Sequence, residues 1–231
     1  TGVQTCGLPI FIMAVWKIGA ALAAGCTVVL KPAPPTPRSS IRLAELALQA
    51  GLPAGTLRVV TGHREVGEAL VNHPAVDMIT VTGSSATGRR IMALAADRPK
   101  RVHLELGGKA PLLVFADADI ESVASAAALA ASYNSGQDCT AATRVYVQRS
   151  AHQQLVDAIA ATLDRVRPGD PFDADTDIGP LITAEHRDRV AGFIDRARSA
   201  GATVVTGGAA LDREGFFLRP AVVTGCDQRS E

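Results

Sequence analysis

One cysteine stands where a reactive thiol would be useful. In Asn134-Ser-Gly-Gln-Asp-Cys139 a polar, glycine-containing segment joins an alanine-rich stretch to the β-like run Arg144–Gln148, so Cys139 is set in a loop. Only the thiolate is a strong nucleophile, and an ordinary thiol of pKa about 8.5 is only a few per cent ionised at neutral pH. Backbone N–H groups aimed at the sulfur would raise that fraction. On spacing alone an ordinary buried cysteine is the favoured reading of Cys139, and Cys6, Cys26 and Cys226, with no comparable setting, read as structural thiols. Glu105, in His103-Leu-Glu-Leu-Gly-Gly-Lys109, ends an apolar run. Burial there would raise its pKa towards the range of a general base, whereas an exposed strand end would leave it an ordinary carboxylate. Two further loops, Lys31-Pro-Ala-Pro-Pro-Thr-Pro37 and Gly83-Ser-Ser-Ala-Thr-Gly88, also follow β-like runs. The N–H groups of a helix opening at Ser84 could hold a phosphate, or Ser84 could simply cap that helix.

The elements that carry these loops follow a strand–loop–helix order. The spacing predicts a buried helix over about Ile10–Ala24 and a strand Cys26–Lys31, then a helix Ser39–Ala50 and strands Leu57–Thr61 and Met78–Thr82. Shorter helices are expected at Arg64–Val71 and Arg89–Ala96. This is the grammar of a parallel sheet with helices on its faces, in which ligands sit at the carboxyl ends of the strands. Beyond it come strands Val102–Leu106 and Pro111–Phe115, a helix capped by Asp119 and running to Tyr133, and the strand Arg144–Gln148. Helices over about Ala151–Val166 and Ala184–Ser199 and strands Thr203–Thr206 and Phe216–Val223 complete the order. The paired glycines near Leu106–Lys109 offer a pivot between a first domain, 1–106, and a second, 107–231.

Composition excludes several classes. With 23 basic and 23 acidic side chains the net charge is zero, which removes the broad basic face of a non-specific nucleic-acid binder. Apolar residues at 47% and charged ones at 20% describe a globular protein. Four scattered cysteines and five histidines without ligand spacing point to no disulfide scaffold and no metal site, as in a cytoplasmic protein. The apolar stretch Leu8–Leu30 carries Lys17 near its centre, at a cost of about 2.5–3.5 kcal/mol in a membrane. Pro9, Gly19 and Gly25 break it further, so it reads as core and not as a membrane span.

Taken in order, Ala-Val-Trp-Lys17, Val-Val-Leu-Lys-Pro32, Thr-Gly-Ser84, Leu-Glu-Leu-Gly-Gly-Lys109 and Gly-Gln-Asp-Cys139 closely resemble the aldehyde dehydrogenase superfamily. Gly169-Asp-Pro171 and Ile178-Gly-Pro-Leu181 extend the resemblance, and Tyr133-Asn-Ser-Gly-Gln-Asp-Cys-Thr-Ala-Ala142 is most similar to its γ-aminobutyraldehyde dehydrogenase branch. The resemblance implies an α/β fold, with a parallel Rossmann-type cofactor domain followed by an α/β catalytic domain, both incomplete. It implies oxidation of an aldehyde, an aminoaldehyde in that branch, to its acid with NAD or NADP. Cys139 would be the nucleophile that passes through a thiohemiacetal and a thioester, its own N–H half of the oxyanion hole, and Glu105 would activate the hydrolytic water. Lys31, Pro32, Ala33, Pro34, Gly83, Ser84, Ser85, Ala86, Thr87 and Leu106 would bind the cofactor. Met13 and Trp16 would wall the substrate tunnel, although without the family they read as core of a buried helix. Asp138, a carboxylate beside the nucleophile, would attract an ammonium-bearing substrate. Full-length members are dimers or tetramers.

The chain departs from the family pattern in three places. Gly7 stands where relatives carry the oxyanion-hole asparagine, and losing one such donor typically costs about 10²–10³ in rate. Pro34 replaces a glutamate that holds the ribose hydroxyls in many NAD-dependent relatives, which weakens discrimination against NADP. The loop Gly62-His-Arg-Glu-Val-Gly67 is one residue shorter than its counterpart. The chain also resembles only the middle of the family's protein, so exposed apolar surface is expected, and a catalytically inactive remnant acting at most as a binding module is the competing reading.

Overall fold

The computed structural model describes residues 2–227, 229 and 230, with side chains from residue 11 onward. The chain forms two compact units, Gly7–Gly107, and Gly108–Glu231 with Thr1–Cys6.

Most of helix α1 (Gly2–Ala23) belongs to the first unit. It stops at Gly25, whose φ of +79° only glycine adopts easily, with Gly25 N–H bonded to the Leu22 carbonyl and Cys26 N–H to that of Ala21. Helix α2 (Arg38–Gln49) ends through the same pair of bonds around Gly51. Each glycine turns the chain into a strand: β1 (Val28–Leu30) after the first, β2 (Leu57–Val59) after the second, and the two pair in parallel from Val28↔Leu57. Helix α3 (Arg64–Asn72), strand β3 (Met78–Gly83), helix α4 (Ser85–Ala96) and strand β4 (Arg101–Leu106) follow. β3 and β4 are parallel from Met78↔Arg101 to Gly83↔Leu106. Val71, Ile79, Ile91 and Ala95 are buried between these helices and strands. Since strand side chains alternate, Ile79 enters the core while Thr80 and Thr82 share the other face with their partners His103 and Glu105.

The first helix departs from expectation. It starts at Gly2, ahead of Ile10, and its side chains are not generally buried: Ala14 and Ile18, one turn apart, go inside, while Trp16 is 70% exposed. Among the described side chains of α1, Ala14 and Ile18 are the buried ones, although the helix is apolar on most of its surface. Leu46 and Leu48 of α2 are exposed as well.

In the second unit β5 (Pro111–Val114) and β6 (Arg144–Val147) are parallel from Pro111↔Arg144 to Val114↔Val147, joined through α5 (Ile120–Ser132). Asp119 caps α5 as its sequence position suggests, accepting from Glu121 N and Ser122 N. α5 packs on α6 (His152–Leu163) through Ala124, Ala127 and Ala128, small residues that admit Leu155, Ile159 and Leu163 at close range. α7 (Ala184–Ser199) leads to β7 (Thr203–Thr206), antiparallel to β8 (Val222–Thr224). The expected strand Phe216–Val223 is therefore shortened. Pro220 interrupts it, because proline has no N–H to offer a ladder, and upstream of it the pairing among the described residues is the bridge Ala210↔Leu218 with the adjoining Arg219 backbone bonds. The α/β class expected from the sequence is the class observed.

Candidate active site

Left-handed backbone leads into the Cys139 loop. After α5 the chain turns through Asn134, Ser135 and Gly136, all with positive φ (51°, 57° and 73°). For a non-glycine residue this conformation costs about 1–2 kcal/mol, so two such residues in succession need support from their surroundings. The Asn134 side-chain amide donates to the Gln137 carbonyl at 2.9 Å, and the Gln137 N–H and side-chain amide both donate to the Asn134 carbonyl, at 3.1 and 3.2 Å. Ser135 Oγ donates to the Gly179 carbonyl at 2.9 Å, and Ile182 N–H donates to Gln137 Oε1 at 3.1 Å. Asn134 is 7% exposed, and its Oδ1 is buried with no hydrogen-bond partner among the described residues.

Cys139 follows, half-buried, and behind it Asp138 accepts from the N–H and the hydroxyl of Thr140, each at 3.0 Å. The backbone then joins the sheet through Ala110 N–H to the Ala141 carbonyl, with Gly108 beside the Cys139 carbonyl. Cys26 and Cys226, read as packed thiols, are both exposed. Each lies in a glycine turn at the end of an element, Gly25 before Cys26 and Gly225 before Cys226, and such turns face solvent.

Glu105 lies in the first unit, half-buried, on β4 opposite Thr82. Lys17 of α1 is its electrostatic neighbour. Burial lowers the Lys17 pKa below the ordinary lysine value, and Glu105 pulls it partly back. Lys17 Nζ donates to Thr80 Oγ1 at 3.0 Å, and that hydroxyl is 3.1 Å from His103 Nδ1.

Two loops of the same unit present groups suited to a charged ligand. Lys31 is half-buried just after β1, and its ammonium donates to the carbonyls of Pro32 at 3.1 Å and Gly62 at 3.0 Å, which fixes its position. Pro32 is buried, while Ala33 and Pro34 are exposed. Ser84 is the N-cap of α4, its Oγ accepting from Thr87 N–H at 3.2 Å and lying 3.0 Å from Thr87 Oγ1. Ser84, Ser85, Ala86 and Thr87 are exposed, and their small side chains leave the first-turn N–H groups approachable. Capping and anion binding are thus compatible at this end. Gly83 pairs with Leu106 across the strands. Met13 is half-buried and Trp16 exposed, so the core reading of Trp16 is overturned. Gly7 lies outside the residues whose side chains are described.

Residues 8–231 match the model of the aldehyde dehydrogenase family. The chain belongs to that family. Betaine aldehyde dehydrogenase of Vibrio vulnificus (strain CMCP6) is 42% identical over 97% of this chain, and the match covers 47% of that protein. Among solved structures, an NAD+ complex of an aldehyde dehydrogenase from Bacillus cereus is 40% identical, with a TM-score of 0.92 over 95% of this chain and 45% of its own. Betaine aldehyde dehydrogenase from Staphylococcus aureus in complex with NAD+ is 39% identical, with a TM-score of 0.90 over 93% of this chain and 44% of its own. The chain thus spans less than half the length of these aldehyde dehydrogenases.

Against this family background the residues present fit a dinucleotide: an anchored cation at Lys31 and an open helix N-terminus at Ser84. Among the described residues no helix is long and apolar enough to cross a membrane. Sequence reading missed how the family blocks are joined. Gly169 N–H bonds to the Ile178 carbonyl, so Gly169-Asp-Pro171 and Ile178-Gly-Pro-Leu181 meet, and the cysteine loop is tied to the second of them. An asparagine before Ser-Gly is a weak signal for left-handed backbone, but nothing local marks Ser135 or Gln137 as cross-links.

Proposed function

We propose that this chain carries the chemistry of aldehyde oxidation to the carboxylic acid, with Cys139 as nucleophile and NAD as electron acceptor. The observation that carries the reading is the cross-tied, strained loop that ends at a half-buried Cys139. Cys139 Sγ adds to the carbonyl carbon, and the π electrons move to the oxygen of a thiohemiacetal that the Cys139 N–H stabilises. NAD, when bound, accepts the two electrons and the hydrogen that make the step an oxidation. Glu105 then takes a proton from water, whose oxygen attacks the acyl carbon of the thioester; the C–S bond breaks and the acid leaves.

Lys31 holds the adenine ribose in this reading, with Pro32, Ala33 and Pro34 beside it. Ser84, Ser85, Ala86 and Thr87 would line the diphosphate, and Gly83 and Leu106 would complete the cofactor site. Pro34 supplies no carboxylate to repel a 2′-phosphate, so NADP is an alternative acceptor. By the family resemblance Met13, Trp16 and Asp138 would be the substrate-binding residues, and their chemistry suits an aldehyde carrying an ammonium group, as in γ-aminobutyraldehyde. Trp16 offers an exposed ring face and Asp138 a carboxylate, both attractive to a cation. The relatives named betaine aldehyde dehydrogenase accord with such a class. The domain roles follow: 1–106 for the cofactor and 107–231 for catalysis.

The test is an aldehyde panel with NAD and with NADP, followed by the absorbance of reduced nicotinamide. Turnover that disappears in Cys139→Ala is expected, and turnover that persists there would sink the assignment.

A further inference from the structure

We infer that Gln137 and Ser135 are positioning residues for the Cys139 thiol, acting by fastening its loop to the Gly179–Ile182 segment. The inference rests on Cys139 being the nucleophile. The two side chains use opposite polarity on one target: Ser135 Oγ donates to the Gly179 carbonyl at 2.9 Å, and Gln137 Oε1 accepts from Ile182 N–H at 3.1 Å. Gln137 also works inward, its amide donating to the Asn134 carbonyl at 3.2 Å, so one side chain links the left-handed turn to the neighbouring segment. That segment is itself anchored, with Leu181 buried and Leu181 N–H bonded to the Phe216 carbonyl at 2.9 Å.

Two features of the turn oppose folding, and the fastening explains how they persist. Asn134 and Ser135 hold φ values of 51° and 57° that only glycine adopts without cost, and Asn134 Oδ1 is buried with no hydrogen-bond partner among the described residues. A loop whose only task was to connect α5 to β6 could relax both. Strain of this kind survives where surrounding bonds over-determine the backbone. Here those bonds include the Asn134 amide and Gln137 N–H within the turn and two outward bonds from side chains within four residues of the thiol. Asp138 is bonded forward to Thr140, so the connection to the Gly179–Ile182 segment runs through Ser135 and Gln137.

The test compares iodoacetamide alkylation of Cys139 with that of Cys26 and Cys226, which are exposed and serve as references within the same chain. Rates are read by peptide mass spectrometry across a pH series on the parent, Gln137→Ala, Gln137→Glu and Ser135→Ala. In the parent the Cys139 profile differs from those of the reference thiols, and in Gln137→Ala it converges on them. Gln137→Glu keeps the acceptor for Ile182 N–H and loses the amide donor, so its profile falls between. A Cys139 profile unchanged in Gln137→Ala overturns the inference, as does one that moves together with Cys26 and Cys226, which would report general loosening. In the aldehyde assay a positioning role lowers kcat by about 10²-fold with KM little changed, the size expected for a misplacement of about 1 Å. Failure of the two readings is separable: a parent without Cys139-dependent turnover defeats the enzymatic assignment, whereas an active parent with Gln137→Ala within twofold of it defeats only the positioning role.

Discussion

The backbone of Gly88 lies so close to Leu106 that a Cβ there would stand 3.0 and 3.1 Å from the two leucine methyls. The same carbon would meet Leu104 Cδ1 at an ordinary 3.4 Å, so relief depends on how far Leu106 can shift. Gly88 is thus what lets α4, and with it the Ser84 N-terminus, sit directly on β4. Two terms oppose each other in Gly88→Ala. The helix gains about 1 kcal/mol from replacing glycine, while overpacking typically costs about 1–3 kcal/mol. With two contacts to Leu106 too tight, overpacking wins, and a net loss of about 1 kcal/mol is expected in urea denaturation. A higher midpoint in the variant would show that the strand yields instead.

Gly62→Ala is expected to do more harm. Its φ of +148° disfavours any L side chain, and an added Cβ would run into Val66 Cγ2. The Gly62 carbonyl also receives Lys31 Nζ, so the strain reaches the loop proposed to hold the cofactor. The expected outcome is a loss of more than about 1 kcal/mol of stability and weaker NAD binding by calorimetry. Gly67→Ala is the control, since its Cβ would meet Lys31 Cε at an ordinary 3.5 Å. Equal NAD affinity in parent and Gly62→Ala would remove Lys31 from the binding site.

The sequence yielded what depends on short-range pattern. The order of strands and helices, the Asp119 and Ser84 caps and the glycine helix stops all follow from local propensity and bonding. It failed where partners are distant in the chain. The burial of α1 was overestimated because composition reports apolarity, not the surface available to cover it: Ala14 and Ile18 find cover and Trp16 does not. The cross-links from Ser135 and Gln137 reach 44 and 45 residues along the chain, beyond any window that periodicity can read. Family motifs named Cys139, but only the coordinates reveal what its loop is tied to.

Stability should depend on pH in two separate windows. Burial first, then Arg189 and Lys109, lower the pKa of His186, whose Nδ1 lies 3.1 Å from an Arg189 guanidinium nitrogen. With the folded pKa below the unfolded value of about 6.5, the contribution is complete above that pH and is lost as pH falls towards the folded pKa. Three carboxylates act lower down. Glu68 is held down by hydrogen bonding from Arg64 and Arg90, Asp119 by Ser122, and Asp177 by the backbone and side chain of Arg167. Their contributions are complete above about pH 4 and disappear below it. The melting temperature should therefore fall in two steps on acidification, and His186→Gln should remove the upper one only. A melting temperature that rises between pH 7 and pH 5.5 would contradict the sign.

Substrate preference should separate the two groups proposed to face a cation. The Asp138 carboxylate is committed to Thr140, and the Asp138→Asn amide oxygen can still accept from Thr140 N–H, so the turn survives while the charge is lost. The expected result is a selective fall in kcat/KM for aminoaldehydes, with neutral alkyl aldehydes of equal length little affected. Trp16→Ala should act on the same ratio through the lost ring face, worth about 0.5–1 kcal/mol at an exposed site and more when desolvated. Because Trp16 is 70% exposed, its removal should leave the melting temperature nearly unchanged, which distinguishes a recognition residue from a packing one. If Trp16→Ala instead melts early and lowers rates for all aldehydes alike, the ring is a structural element. If Asp138→Asn leaves the ratio of charged to neutral substrates unchanged, the carboxylate serves the Thr140 turn and the cation is selected elsewhere.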